Sequence, residues 1–258
     1  MAFVRMGPRT MTHPRARHTA IQFDNVTLGY DRHPAVHHLD GAIERGTLLA
    51  VLGPNGSGKS TLLKGISGVI APLDGQILTQ QSIAYLPQSA DIDRSFPIDV
   101  FDLVAMGLIP SRGLMGRMGR KDTARIIQAL AKVGLIGFED RPIGTLSGGQ
   151  MQRALFARLI VQEADVLLLD EPFTAVDETT QHDLIALLRD WHTQGRTIVA
   201  VLHDLDLIRR EFPHSLLLAR EVIAWGPTET VLTPTHLQRA RHMAEAHDPF
   251  AAACERAA

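Results

Sequence analysis

Thr47-Leu-Leu-Ala-Val-Leu-Gly-Pro-Asn-Gly-Ser-Gly-Lys-Ser-Thr61 is the stretch that decides the reading of this chain. Thr47–Leu52 is a short apolar run ending at glycine, and it reads as a buried strand. Gly53, Gly58, Lys59 and Ser60 then meet the spacing G-x-x-x-x-G-K-[ST], and Ser60–Ser67 reads as a helix. The glycines let the backbone wrap closely, so successive N–H groups converge on one anion. The helix that follows aims its positive end at the same place. Gly53, Pro54, Asn55, Gly56, Ser57, Gly58, Lys59, Ser60 and Thr61 therefore form a candidate phosphate cradle. Lys59 supplies a full charge to the β- and γ-phosphates, and the Ser60 hydroxyl is suited to ligate Mg²⁺. This stretch predicts a nucleoside triphosphate site and says nothing of what the energy drives.

A second apolar run, Val166-Leu-Leu-Leu-Asp-Glu171, ends in two carboxylates. Strand ends in open α/β sheets face the ligand crevice. Asp170 is suited to the Mg²⁺ shell. Glu171 is suited to orient or deprotonate an attacking water, the two things phosphoryl transfer demands beyond charge neutralisation.

Outward from these two runs the chain alternates strands and helices. Ile21–Leu28 reads as an edge strand, and Gln76–Thr79 and Ser82–Leu86 as further strands. From Ser89 to Thr145 the texture changes. Phe101–Met106 reads as helix and Pro110–Gly119 as a Gly-, Arg- and Met-rich loop. Arg120–Val133 is a helix with Ile126, Ile127, Leu130 and Val133 on one face, stopped by Gly134. Alternation then resumes: helix Gly148–Gln162, strand Val166–Asp170, and helix Thr179–Thr193 with Leu184, Leu187, Leu188 and Trp191 inward. Gly195 ends that helix. Strand Arg196–Leu202, helix Asp204–Glu211 and strands Ser215–Leu218 and Val222–Trp225 complete the series. Such alternation predicts a parallel sheet covered on both faces.

Bulk properties exclude several classes. The chain has 258 residues, 45% hydrophobic and 21% charged, with a formal net charge of −2. That is ordinary for a globular protein and lacks the basic excess of a nucleic-acid binder. No apolar run approaches the ~20 residues a membrane span needs. One cysteine, Cys254, cannot form an internal disulfide and fits a reducing compartment. Met1–His18 carries Arg5, Arg9, Arg15 and Arg17 without an apolar core, so it reads as a tail over 1–19 and not as a secretory signal. Met6 and Met11 also allow a later start.

Leu146-Ser-Gly-Gly-Gln150 is the most specific string in the chain. Ser147, Gly148 and Gly149 stand ahead of a predicted helix and make a second anion-binding N-terminus. With this string the chain resembles the ABC ATPase family over about residues 20–235. The resemblance implies an α/β fold of the P-loop NTPase (RecA-like) type. A parallel-sheet core would carry an antiparallel β edge and a helical subdomain inserted at about 89–162, with a C-terminal helix or tail at 236–258. It also implies a dimer, in which Ser147, Gly148, Gly149 and Gln150 of one subunit contact the γ-phosphate held by the other. Tyr30, in Leu-Gly-Tyr, resembles the aromatic that stacks on adenine. Gln88, in Tyr-Leu-Pro-Gln, resembles the glutamine that senses Mg²⁺ and the attacking water. Thr174-Ala-Val-Asp177 resembles the loop at the dimer seam, and His203 the histidine that contacts the γ-phosphate. The implied roles are catalytic for Glu171, His203 and Gln88, and metal-binding for Ser60, Gln88 and Asp170, with ATP and Mg²⁺ as the bound species.

The lack of a fused membrane span resembles bacterial importers, whose ATPase is a separate subunit on the cytoplasmic side of the inner membrane. Asp93–Gly107, Asp170–Asp177 and Gly226-Pro-Thr-Glu229 are similar to zinc and manganese importers. The resemblance implies a separate permease, a periplasmic or extracellular metal-binding protein, and divalent-metal cargo, zinc ahead of manganese. Alternatives are an importer of iron–siderophore or haem, a soluble ABC protein that remodels a complex, or a P-loop small-molecule kinase. The last lacks an identifiable acceptor pocket. His37 and His38, adjacent on a strand, and His236, His242 and His247, without i, i+4 spacing, read as non-ligands.

Overall fold

The structure is a computed structural model and describes residues 18–31, 33–88, 92–113, 117–174 and 176–245. Most of the expected N-terminal tail, Ala175, His247 and Cys254 lie outside the described residues.

Two sheets build the molecule. The larger has six strands: β3 (Leu48–Leu52), β5 (Ile83–Leu86), β6 (Val166–Asp170), β7 (Thr197–Val201), β8 (His214–Ala219) and β9 (Glu221–Pro227). Their order is β5-β6-β7-β3-β8-β9. All pairs are parallel except β8 with β9. The expected parallel sheet is thus present, closed on one side by an antiparallel strand. Every residue of β3, β6 and β7 is buried. That explains why these strands read as continuous apolar runs and not as alternating ones.

The smaller sheet has β1 (Thr19–Tyr30), β2 (His33–Glu44) and β4 (Asp74–Leu78), in the order β2-β1-β4 and antiparallel throughout. One expectation is corrected here. The run at Ile21–Leu28 is not an edge strand, because β1 is the middle strand of this sheet. Strand β2 carries no usable strand signal. Its buried aliphatic residues Val36, Leu39 and Ile43 are spaced three and four apart. Register shifts along β1 and β2, with Asn25 and His38 at positive φ, break the period of two. His37 and His38 both lie in β2 with ring centroids 6.4 Å apart.

Alternating side chains of the central strands feed two cores. Leu49, Val51, Leu168, Val199 and Val201 pack towards the small sheet and helix α1 (Lys59–Ile66), with Phe23, Leu28, Leu62 and Leu63. Ala50, Leu52, Leu167, Leu169 and Ala200 pack on the opposite face. That face is covered by α5 (Gly148–Gln162) and α6 (Glu178–Thr193), where Phe156 and Trp191 stack at 5.9 Å.

Between β5 and β6 lie α2 (Val100–Ala105), α3 (Ile109–Arg112), α4 (Arg120–Lys132) and α5. Part of the expected loop at 110–119 is therefore a helical turn, with Pro110 in its first turn, where a missing N–H costs nothing. The chain leading into α5 runs back along the segment before α2: Val100 N–H donates to Arg141 O at 3.0 Å and Ile143 N–H to Ile98 O at 3.1 Å. Helices α7 (Leu205–Glu211), α8 (Thr228–Val231) and α9 (Pro234–Glu245) complete the described chain.

Helix α4 corrects a further expectation. Ile126, Ala129, Leu130 and Val133 are buried, but Ile127 is 38% exposed. At 3.6 residues per turn, Ile127 is rotated about 100° from Ile126 and leaves the buried stripe. In α6, likewise, Leu187 is only half-buried beside Leu184, Leu188 and Trp191. Ile126→Ala should cost about 2–5 kcal/mol of stability, and Ile127→Ala no more than about 0.5 kcal/mol. Denaturant unfolding of the two variants checks this, and equal losses would contradict the placement of α4.

Candidate active site

The ends of β3, β6 and β7 deliver three loops to one edge of the large sheet, where α/β folds hold their ligands. β3 leads into Gly53–Gly58, β6 into Asp170 and Glu171, and β7 into His203. A pocket of about 860 Å³ opens there, lined by Tyr30, Ala35, Asn55, Gly56, Ser57, Gly58, Lys59, Ser60, Thr61, Gln88, Glu171 and His203. This is within the ordinary size of a small-molecule site.

The loop is glycine-dependent at identifiable points. Gly58 has φ +93°, and a Cβ there would come within 2.4 Å of Ala35 O. A Cβ on Gly53 would meet Leu218 O at 1.9 Å. The Lys59 ammonium donates to Gly53 O at 3.0 Å and Pro54 O at 2.8 Å, and Lys59 is only 6% exposed. Burial lowers its pKa, while the nearby charges of Glu171 and Asp170 act to raise it. Ser57 Oγ is buried with no hydrogen-bond partner among the described residues and belongs to the same loop. A buried ammonium, an unpartnered hydroxyl and a backbone that excludes side chains fit a polyphosphate.

Behind the loop, Ser60 Oγ donates to Asp170 Oδ1 at 3.1 Å and the Tyr85 hydroxyl to Asp170 Oδ2 at 3.4 Å. Asp170 is buried, and that burial raises its pKa; the Ser60 and Tyr85 hydrogen bonds oppose the rise, and the charge of Glu171 adds to it. Ser60, Asp170 and Gln88 offer the oxygen ligands that Mg²⁺ prefers.

Glu171 is the hub of the pocket wall. Its Oε2 accepts from Gln88 Nε2 at 2.8 Å and from Thr174 Oγ1 at 3.1 Å, and its Oε1 lies 2.7 Å from His203 Nε2. Burial acts to raise the Glu171 pKa, but the hydrogen bond and charge of His203, with the Thr174 and Gln88 hydrogen bonds, outweigh it. The net shift is downward, so the carboxylate is held ionised. Its backbone is left-handed at φ +51°, a conformation uncommon outside glycine that turns the carboxylate out of β6.

The expected residues divide into two groups. Tyr30, Asn55 to Thr61, Gln88, Glu171 and His203 share the pocket; Gly53, Pro54 and Asp170 lie immediately behind it. Ser147, Gly148, Gly149, Gln150 and Asp177 do not line it. Ser147 caps α5 reciprocally with Gln150, through Gln150 N–H to Ser147 Oγ at 3.2 Å and Ser147 N–H to Gln150 Oε1 at 3.0 Å. Asp177 caps α6, accepting from Thr180 N–H at 2.9 Å and Thr180 Oγ1 at 2.8 Å. A Cβ on Gly149 would lie 3.3 Å from Asp177 Oδ2, so these two elements are neighbours. Sequence reasoning missed Ala35, because a strand was read there only at His37 and His38, and gave no role to Tyr85, although it stands in the same short run as Gln88.

Residues 36–174 match the ABC transporter family. The chain belongs to that family. Among relatives of this cassette, the zinc transport system ATP-binding protein TroB of Treponema pallidum is 40% identical over 229 residues, covering 86% of each chain. The manganese transport system ATP-binding protein MntB of Listeria monocytogenes is 39% identical over 226 residues, covering 84% of this chain and 94% of that one. A solved inward-facing transporter described as of metal-chelate ABC type superposes with a TM-score of 0.78 at 32% identity, over 87% of this chain and 89% of that one. The expectations of family, fold class and ATPase activity hold: this is an ABC ATPase with the P-loop NTPase fold.

Only ionised Asp170 can serve as a ligand, and its pKa is raised. Mg²⁺-dependent nucleotide binding should therefore weaken, as pH falls, at a pH above the ordinary aspartate range. Tyr85→Phe removes a hydrogen bond that favours the ionised form and should move that limb to still higher pH. Titrations with a fluorescent ATP analogue, with Mg²⁺ and with chelator, measure this. Superimposable Mg²⁺ limbs for the two proteins would contradict the assignment.

Proposed function

We propose that this cassette hydrolyses ATP as one half of a head-to-tail homodimer and powers uptake of a divalent metal ion, zinc ahead of manganese. The observation that carries the catalytic part is the Glu171 carboxylate, ionised and gripped by Gln88, Thr174 and His203, in the same pocket as Lys59 and Ser60. Lys59 and the loop N–H groups hold the triphosphate, and Tyr30 stacks on the base. Glu171 orients the water and draws off its proton as it attacks the γ-phosphorus; the phosphoanhydride bond breaks and ADP leaves with the β-phosphate oxygen. His203 keeps the Glu171 carboxylate aimed and contacts the γ-phosphate. Mg²⁺, held by Ser60, Gln88 and Asp170, would neutralise phosphate charge.

The outward position of Ser147–Gln150 and of Asp177 supports the dimer. These residues do not reach the pocket of their own chain, and the capped α5 N-terminus offers N–H groups to an anion carried by another. A dimeric bacterial ABC cassette, 25% identical with a TM-score of 0.71 over 81% of this chain and 98% of that one, supports dimerisation. Residues 20–235 would form the ATPase domain, with the helices after Gln88 as its inserted lobe. No helix among the described residues is long and apolar enough to cross a membrane. The chain would act peripherally at the cytoplasmic face of a separate permease, served by a periplasmic or extracellular metal-binding protein. The zinc and manganese relatives support the cargo class. The metal-chelate transporter favours a second reading, uptake of iron chelates.

Glu171→Gln should retain ATP binding, lose turnover at least about a hundredfold, and run as an ATP-dependent dimer in size-exclusion chromatography. Undiminished hydrolysis would overturn the role of Glu171. For cargo, cells lacking this chain should lose zinc accumulation, and the wild-type gene but not Glu171→Gln should restore it. Zinc uptake that stays normal while chelated-iron uptake fails would favour the second reading.

A further inference from the structure

Arg220 forms the turn between β8 and β9 and stands in the left-handed region at φ +65°. A residue with a Cβ adopts that conformation at a cost, and here it is held from three sides. Its N–H donates to Ser57 O at 3.0 Å, within the phosphate loop. Its carbonyl accepts from His37 N–H at 2.7 Å, in β2. Its Nη2 donates to Pro34 O, at the start of β2.

Those contacts tie together two elements of the pocket wall, the phosphate loop and β2. Pro34 pairs with Gly29 and His33 with Tyr30 across the turn from β1 to β2, so fixing Pro34 O fixes the turn that carries Tyr30. Tyr30 and Ala35 line the pocket from β1 and β2, Ser57 and Gly58 line it from the phosphate loop, and Gly58 packs against Ala35 O. The hairpin touches the loop a second time at Leu218 O, against Gly53.

We propose that Arg220 is a positioning residue for nucleotide binding, a strut that sets the spacing between the phosphate loop and the base-binding turn. It does not line the pocket; it acts through Ser57 and Pro34. The proposal rests on the reading of Tyr30 as the base-stacking residue. A hairpin arginine that only stabilised the fold would weaken every ligand equally. A strut for the base end weakens only ligands that have a base.

The test is calorimetric titration of the full chain with Mg²⁺-ATP and with Mg²⁺-tripolyphosphate. Arg220→Gly accepts φ +65° and can keep the N–H to Ser57 O, so it removes the side chain with its donation to Pro34 O. Its ATP affinity should fall roughly five- to tenfold while tripolyphosphate stays within about twofold. Unchanged ATP affinity, or an equal loss for both ligands, overturns the proposal. If Arg220→Gly does not fold, Arg220→Asn, which also tolerates the left-handed backbone, must show the same selective loss or the proposal fails. Tyr30→Ala separates the two readings. Selective loss in both variants supports both. Selective loss in Arg220→Gly alone rejects base stacking by Tyr30 and leaves the strut acting through Pro34 and Ala35.

Discussion

A positive charge buried at Lys59 is the constraint on which the site depends. An ammonium removed from water must find compensating partners, or burial drives off its proton. Here the partners are two carbonyls of its own loop, Gly53 O and Pro54 O, and the charges of Glu171 and Asp170. None of these is near Lys59 by accident of sequence. The loop carbonyls reach it because glycines at 53 and 58 let the backbone pass against Leu218 and Ala35. The carboxylates reach it because β6 and β3 flank β7 in one parallel sheet and end on the same edge. Strand order, loop conformation and electrostatics are one arrangement, and a polyphosphate is the ligand whose charge completes it.

Much of that arrangement is legible in the sequence because its signals are short-range. The spacing Gly53 to Ser60, the strand ending at Asp170, and the Ser147 cap with Gln150 three residues on each lie within a few residues. What is illegible arises from long-range contact or from broken periodicity. Strand β2 hides because shifts of register against β1 space Val36, Leu39 and Ile43 like a helix face. Ile127 looks equivalent to Ile126 until the rotation of α4 is known. Ala35 enters the pocket only because β2 exists. Arg220 carries no local signal at all, and its contacts are with residues more than 160 positions away.

The signature segment shows a different limit. Ser147 to Gln150 are the most specific residues in the chain, and within one subunit they cap α5 without lining the pocket. Asp177 does the same for α6. Both caps leave helix N-termini in adjacent positions, one beside the other, outside the pocket that holds Glu171. In the proposed dimer a single chain would have a nucleotide-binding half and an anion-presenting half that do not meet, and two chains related by a two-fold axis would bring each half to its complement twice.

Subunit complementation tests whether two chains share each site. Lys59→Ala removes the phosphate-binding half and Ser147→Arg the presenting half, so each variant alone has no intact site. Mixed one to one, half the dimers pair unlike chains and each of those regains one site. The account predicts two inactive proteins whose mixture recovers about a quarter of the wild-type sites, read as ATPase activity. A mixture as inactive as its components, with both variants folded and dimerising, would contradict it.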